Sequence, residues 1–89
     1  MSTGKTKYLF CYDICNEKRL VKIHRYLCKK AIPIQYSVFY AELTQNELQG
    51  IVDDLGFLIH PHDDIRIYSP LNYQQLISIG KVSDYTFIS

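Results

Sequence analysis

The fold is decided by residues 8–30, whose sequence is YLFCYDICNEKRLVKIHRYLCKK. The first five of these residues are all apolar or aromatic, and the run ends at Asp13. An uninterrupted apolar run of this kind predicts a strand that is buried on both faces in the middle of a sheet. The polar residues that follow Asp13 indicate that a different element begins there.

That second element is predicted to be an amphipathic helix over residues 17–30. Asn16 can cap its N-terminus, and Pro33 requires the helix to stop before it. Its buried side carries apolar residues at helical spacing: Leu20, Ile23, Leu27 and Ala31. The opposite side carries a line of positive charge, the basic stripe, which consists of Lys18, Lys22, Arg25 and Lys29. Arg19 and Lys30 flank the basic stripe.

The rest of the chain predicts further strands and a second helix. Residues 34–43 favour two short strands or one sharply bent strand. Thr44 and Glu47 form a capping box at the start of a helix that ends before Pro61. Residues 65–68 alternate as a strand does, and residues 76–79 and 85–88 are weaker strand candidates.

This order predicts an α+β, ferredoxin-like βαββαβ fold, in which an antiparallel sheet has both helices on one face and an extra C-terminal strand. The 89 residues suffice for a single domain, 1–89, with its core at about residues 7–71. A domain of this size is marginally stable alone, so oligomerisation is expected to stabilise it. We expect the tail, residues 72–89, to add a strand to the sheet of the dimer partner.

The composition is typical of a soluble, cytoplasmic protein. Hydrophobic residues make up 47% of the chain, which excludes a disordered protein. No apolar run approaches the roughly 20 residues that span a membrane, and residues 1–7 lack the apolar core of a signal peptide. The three cysteines form no CxxC pair, which favours reduced thiols. Because the net charge is only +1, binding to nucleic acid must depend on local clusters of charge.

Asp13 is the first candidate for chemistry, because it directly follows the buried strand and precedes the helix. A carboxylate at a strand end can bind Mg²⁺, but a single carboxylate makes a poor site. A homodimer with Asp13 near its two-fold axis would bring a second copy to the same ion. Such an ion could activate a water and neutralise charge on a phosphodiester. The alternative is that Asp13 only ends the strand through an Asx-turn.

The basic stripe is the second candidate, as a contact surface for phosphates; the alternative is an ordinary solvated helix face. Ser37 can also donate to a phosphate, whereas Tyr36 and Phe39 are expected to pack or to lie at an interface. The loop that contains His60 and His62 is expected to be a polar loop rather than a zinc site. The cysteines are expected to be packing residues: Cys11, Cys15 and Cys28.

Together these segments resemble the Cas-two family of CRISPR-associated proteins over residues 8–71. The resemblance depends on the order and spacing of four short segments: YDI at 12–14, KR at 18–19, QYSVF at 35–39 and IRIY at 65–68. It implies a ferredoxin-like homodimer that acts as a Mg²⁺-dependent endonuclease on RNA or DNA. It further implies that Asp13 is the catalytic and metal-binding residue, paired across the dimer axis.

The resemblance also implies a role in spacer acquisition, where the dimer binds double-stranded DNA and the Cas-one integrase. In that role such a protein can be a non-catalytic scaffold that bridges the integrase. Residues expected to bind nucleic acid are Lys18, Arg19, Lys22, Arg25, Lys29 and Ser37. Pro33 stands where many members have an arginine, which weakens the nuclease implication. A third hypothesis, a regulatory domain that binds a small ligand, is disfavoured by the basic stripe.

Overall fold

The elements follow the predicted order in the computed structural model, which describes residues 4–80. Along the chain they are β1 (Thr6–Asp13), α1 (Glu17–Lys30), β2 (Ile32–Gln35), β3 (Val38–Leu43), α2 (Gln45–Leu58), β4 (Asp64–Tyr68) and β5 (Gln75–Gly80). All pairings are antiparallel, and the order across the sheet is β2-β3-β1-β4-β5. The predicted ferredoxin-like fold with an extra C-terminal strand is therefore confirmed. The strand candidate at residues 85–88 lies outside the described residues.

Strand β1 occupies the centre of the sheet, but it is buried on one face only. Phe10 pairs with Phe39 of β3 on one side and with Ile67 of β4 on the other. All three are fully buried, whereas Leu9 and Cys11 are only half-buried. The expectation of burial on both faces is wrong for the single chain. The reason is that successive strand residues point to opposite faces, and both helices cover the same face.

The opposite side of the sheet, which we call the open sheet face, is not covered by either helix. It presents the residues that alternate with the core positions along the three inner strands: Lys7, Leu9, Cys11, Asp13, Val38, Tyr40, Glu42, Asp64, Arg66 and Tyr68. The apolar and aromatic side chains of this face come mostly from β1 and β3, and β4 contributes the ion pair between Asp64 and Arg66.

Both helices begin at the predicted capping residues. Asn16 Oδ1 accepts a hydrogen bond from the backbone N–H of Arg19 at 3.0 Å. In the α2 capping box, Glu47 N–H donates to Thr44 Oγ1 at 3.1 Å and Thr44 N–H donates to Glu47 Oε1 at 2.8 Å. The helices bury their apolar sides against the sheet, and each fully buried side chain there contributes roughly 1.5–3 kcal/mol. These side chains include Ile23, Leu27 and Leu55.

Residues 32–43 form a hairpin, which decides in favour of two short strands over one bent strand. Tyr36 and Ser37 make the turn between β2 and β3. All of β2 is exposed at the edge of the sheet, and its pairing shifts between Pro33 and Gln35. Proline is tolerated at such an edge because its missing N–H costs no ladder hydrogen bond.

Strand β5 pairs with β4 of the same chain, with Ile79 opposite Ile65 and Ile77 opposite Ile67. Gly80 ends the strand at φ 84°, and a Cβ there would collide with the carbonyl oxygen of Asp63. Glycine is therefore required at this position. Addition of a tail strand to a partner's sheet stays a prediction. Neither α1 nor α2 is long and apolar enough to cross a membrane, and no other helix occurs within residues 4–80.

Candidate nucleic-acid and metal site at the end of the first strand

Asp13 is the last residue of β1, and its side chain is exposed. Within residues 4–80 its carboxylate has no hydrogen-bond donor and no ion-pair partner. An Asx-turn would require the N–H of Cys15, two residues along the chain, but that N–H donates to Asp63 Oδ1 at 2.9 Å. The Asx-turn is therefore not formed, and a catalytic or metal-binding role for Asp13 stays a prediction. The carboxylate is free to bind a ligand.

A second carboxylate lies next to Asp13 in the sheet, on Asp64 of β4. The two residues are directly opposite in the strand register, so like charges face each other across the strand pair. Arg66 Nε lies 3.0 Å from Asp64 Oδ2 and balances one of these charges. Asp64 Oδ1 is buried and has no hydrogen-bond donor in the described part of the chain. Arg66 Nε is likewise buried without a hydrogen bond in the described part of the chain, so this ion pair leaves one acceptor and one donor unsatisfied.

Asp63 is the functional residue that sequence reasoning missed. It is 0% exposed, and both of its oxygens accept hydrogen bonds. Oδ1 accepts from the N–H of Cys15 and from Arg19 Nη2, and Oδ2 accepts from Arg19 Nε and the N–H of His60. Burial alone would raise the pKa of this carboxyl, but the Arg19 side chain and the two backbone donors lower it to about 2. Asp63 thus fixes the β1–α1 loop to the α2–β4 loop.

The salt bridge to Asp63 occupies part of the Arg19 guanidinium. Its Nε lies 2.8 Å from Asp63 Oδ2, and the side chain is 28% exposed. The hydrogen bond to Asp63 raises the pKa of Arg19, so the guanidinium stays charged. The two donor nitrogens that face Asp63 are occupied. A contact between Arg19 and a phosphate stays a prediction, and it would rely on the remaining donors of the guanidinium.

The basic stripe lies on the solvent side of α1. All four of its residues are exposed, and none forms an ion pair with another residue of the described range: Lys18, Lys22, Arg25 and Lys29. Lys30, which flanks the stripe, lies over the ring of Tyr26 at 5.9 Å. Because the stripe has no acidic partner in the described range, its charge is available to phosphates.

A cleft opens beside Asp13, between the end of β1, the first half of α1 and the β2–β3 turn. Its volume is about 440 Å³, and eight residues line it: Tyr12, Asp13, Ile14, Leu20, Val21, His24, Tyr36 and Ser37. The Tyr12 hydroxyl and His24 Nδ1 are hydrogen-bonded at 3.0 Å, and the His24 ring meets Phe39 edge-on at 5.4 Å. Burial raises the pKa of Tyr12, with smaller effects from Cys28 and Tyr36. The fold therefore brings Asp13, Tyr36 and Ser37 to one cleft.

The other predicted residues fall in different surroundings. Phe39 is fully buried in the core, whereas Tyr36 is 91% exposed and does not pack within the chain. Of the three free cysteines, Cys15 and Cys28 are exposed, so the expectation that they are packing residues is wrong. Cys15 lies in the β1–α1 loop, and Cys28 lies on α1 outside its apolar side. An interface role for Tyr36 stays a prediction.

The histidine loop is a polar loop. The rings of His60 and His62 stack with centroids 5.1 Å apart. His62 N–H donates to His60 Nδ1 at 3.2 Å, which occupies that ring nitrogen. Throughout residues 4–80, no group of three or more His, Cys, Asp or Glu side chains is arranged to hold a metal ion.

The fold and the site define a small ferredoxin-like protein with a free carboxylate at a strand end and a positively charged helix beside it. The chain belongs to the family described as CRISPR associated protein Cas2, whose model matches residues 6–76. It is 45% identical over 78 residues to CRISPR-associated endoribonuclease Cas2 2 of Thermodesulfovibrio yellowstonii. The aligned residues make up 86% of this chain and 85% of that relative.

Two further proteins extend the comparison. CRISPR-associated endoribonuclease Cas2 1 of Nitrosomonas europaea is 40% identical over 62 residues, which are 68% of this chain and 59% of that relative. The crystal structure of a hypothetical protein from Thermus thermophilus superimposes with a TM-score of 0.71 at 31% identity. The match covers 74% of this chain and 82% of the Thermus chain. The ferredoxin-like fold is thus shared with an experimentally solved structure.

Proposed function

We propose that this protein is a homodimeric, Mg²⁺-dependent endonuclease that cleaves RNA or DNA in CRISPR spacer acquisition, in the cytoplasm. The observation that carries the proposal is the free, exposed carboxylate of Asp13 at the end of β1. The names of the Thermodesulfovibrio and Nitrosomonas relatives, both endoribonucleases, support it.

The residues at this strand end fit a magnesium ion. Mg²⁺ prefers carboxylate oxygens and is held by one or two of them together with water. Asp13 offers a free carboxylate, and the adjacent Asp64 has a buried oxygen without a donor in residues 4–80. Asp13 from two protomers would hold the ion if the two-fold axis passes beside it. When bound, the ion would supply a water of lowered pKa and neutralise charge on the phosphodiester.

The open sheet face supports the dimer on which this proposal depends. Leu9, Val38 and Tyr40 are only half-buried there, and no part of residues 4–80 covers them. Burying apolar surface against a second copy would stabilise the small domain by about 25 cal/mol for each Å² removed from water. Because Asp13 points to the same face, dimerisation through it would bring the two carboxylates together.

The chain's own residues would bind and orient the nucleic acid. The basic stripe would contact phosphates on one side of the cleft, and the Ser37 hydroxyl would donate from the other side. Asp13 would orient the attacking water, whose oxygen would bond to phosphorus as the bond from phosphorus to the leaving oxygen breaks; the water would lose a proton to solvent and the leaving oxygen would take one up from solvent. Arg19 would act indirectly, since its bond to Asp63 holds the loop that follows Asp13.

Cleavage by wild type and Asp13→Asn tests the proposal, on RNA and on duplex DNA, in Mg²⁺ and in EDTA. Wild type should cleave only with the metal, and Asp13→Asn should lose the activity while it stays dimeric. Asp53→Asn is the matched control, because Asp53 is an exposed aspartate of α2 outside the site. Cleavage that persists in Asp13→Asn would contradict the assignment of the site.

A second function, a non-catalytic scaffold, is favoured by one specific observation. Pro33 lies in the exposed edge strand β2, at the position where many family members have an arginine, so the side chain there has neither a charge nor a hydrogen-bond donor for a phosphate. The scaffold would bind double-stranded DNA through the basic stripe and bridge the Cas-one integrase. It predicts that Asp13→Asn still binds both. If wild type cleaves no substrate but assembles with the integrase on duplex DNA, this function is the correct one.

A further inference from the structure

We infer that the cleft beside Asp13 binds one unpaired nucleobase, which stacks on Tyr36 while its neighbouring phosphates lie on the basic stripe. The inference rests on the proposed function in that it names how the same site binds its nucleic acid. It assigns a role to a side chain that the proposed cleavage chemistry does not use.

Tyr36 presents an exposed aromatic ring at the cleft. It lies in the two-residue turn between β2 and β3, and it is 91% exposed. The turn is nevertheless fixed to the sheet, because Tyr12 N–H donates to the carbonyl oxygen of Ser37 at 3.3 Å. An exposed aromatic ring on a turn whose backbone is anchored to the sheet is suited to stacking on a flat ligand.

The cleft has the size and lining of a small-ligand site. Its volume of about 440 Å³ falls within the roughly 300–1,000 Å³ of such sites. The wall opposite Tyr36 comes from α1 and is apolar at Leu20 and Val21. Besides the Asp13 carboxylate and the tyrosine hydroxyls, the lining includes the Ser37 hydroxyl and the His24 ring, which can hydrogen-bond the edge of a base. The lining thus matches an aromatic heterocycle with polar edges.

The positive charge beside the cleft favours a nucleic acid over an uncharged metabolite as the ligand. Val21 lies three residues after Lys18 and four before Arg25, so these three side chains are neighbours on the surface of α1. The apolar wall of the cleft is therefore continuous with the basic stripe. Proteins that bind single strands combine such a positive surface for the backbone with aromatic rings for the bases.

The arrangement also determines the state of the base. A base in a duplex is stacked and paired, and it must leave the stack before it can enter a pocket. The cleft lies beside Asp13, so an unpaired nucleotide held there would place its adjacent phosphate near the proposed metal site. Stacking on Tyr36 is tolerant of sequence, because every base has an aromatic face.

The test compares binding of a short single-stranded RNA with a fully abasic oligomer of the same length, which has the same phosphates and no bases. Fluorescence anisotropy is measured in EDTA on the Asp13→Asn protein, so that no cleavage occurs. Adding Tyr36→Ala to the Asp13→Asn parent should weaken RNA binding by about 5- to 100-fold and leave the affinity for the abasic oligomer unchanged. Tyr36→Phe should bind as the parent does. Phe57→Ala is the matched control, because Phe57 is also 91% exposed but lies on α2.

Three results would overturn the inference: equal RNA binding by the parent and Tyr36→Ala, equal losses for RNA and the abasic oligomer, or no binding of RNA by the parent. A thermal melt of each variant excludes unfolding as the cause. The outcome is separate from that of the cleavage test. A protein that never cleaves but discriminates RNA from the abasic oligomer through Tyr36 keeps the base site and loses the nuclease function.

Discussion

Replacing Asp63 with asparagine should destabilise the fold by about 2 kcal/mol at neutral pH, although the two side chains have the same shape. Both carboxylate oxygens of Asp63 accept hydrogen bonds, and every partner is a donor: two backbone N–H groups and the guanidinium of Arg19. An asparagine offers one oxygen and one NH₂ group. In either orientation the NH₂ group faces donors, which leaves buried groups without partners.

The magnitude and its pH dependence follow from the pKa of Asp63. Its fall from 3.8 to about 2 corresponds to roughly 2 kcal/mol, since one pKa unit is about 1.36 kcal/mol. Solvent around Arg19 screens part of this, while each donor without a partner adds about 1–3 kcal/mol. Because the pKa is lower in the folded protein, the stabilisation is present above about pH 4 and is lost as the pH falls towards 2.

Urea unfolding at pH 7 and at about pH 2.5, monitored by circular dichroism at one protomer concentration, measures the effect. The difference between wild type and Asp63→Asn should fall by more than half at the lower pH. Asp53→Asn is the control, because Asp53 is exposed and accepts only from Gln49, and it should change stability by less than about 0.5 kcal/mol. A difference that is the same at both pH values would refute the reasoning.

Three further predictions concern other parts of the fold. Gly80→Ala should loosen β5, because a Cβ would collide with the Asp63 carbonyl oxygen. Amide hydrogen exchange across residues 75–80 should become faster in this variant, and unchanged protection would contradict the prediction. Thr44→Ala should remove the α2 cap at a cost of about 1 kcal/mol, which lowers Tm by roughly 4–8 °C in calorimetry. Lys22→Glu and Arg25→Glu should each reduce the slope of log K against log salt for duplex DNA by about 1, and an unaltered slope would place the phosphates elsewhere.

The elements that sequence predicted best are those with strong local signals. The bounds of α1 agree with the structure because Asn16 caps one end and Pro33 lies just beyond the other. The predicted start of α2 agrees with the structure because the side chain of each of Thr44 and Glu47 accepts a hydrogen bond from the backbone N–H of the other. Each of these signals acts over a few residues, so neither depends on how the rest of the chain packs.

Features that depend on distant residues were missed or wrong. Asp63 looks like any loop carboxylate in the sequence, and its principal partner, Arg19, is 44 residues away. The one-sided burial of β1 follows from where the helices pack, which a continuous apolar run does not reveal. Likewise, the cleft joins Tyr12 to Ser37 across a whole helix, so no spacing rule could have predicted it. Tertiary contacts, not local preferences, create these features.

A single strand end serves two surfaces because neighbouring residues of β1 point in opposite directions. Tyr12 faces the helices, where its hydroxyl is hydrogen-bonded to His24, while Asp13, at the end of the open sheet face, also lines the cleft beside α1. Asp63 keeps the second role available, since it takes the Cys15 N–H that would otherwise close an Asx-turn on Asp13. The buried aspartate therefore does more than stabilise the loops. By occupying that donor it leaves the exposed carboxylate free, and this freedom is what the proposed metal chemistry requires.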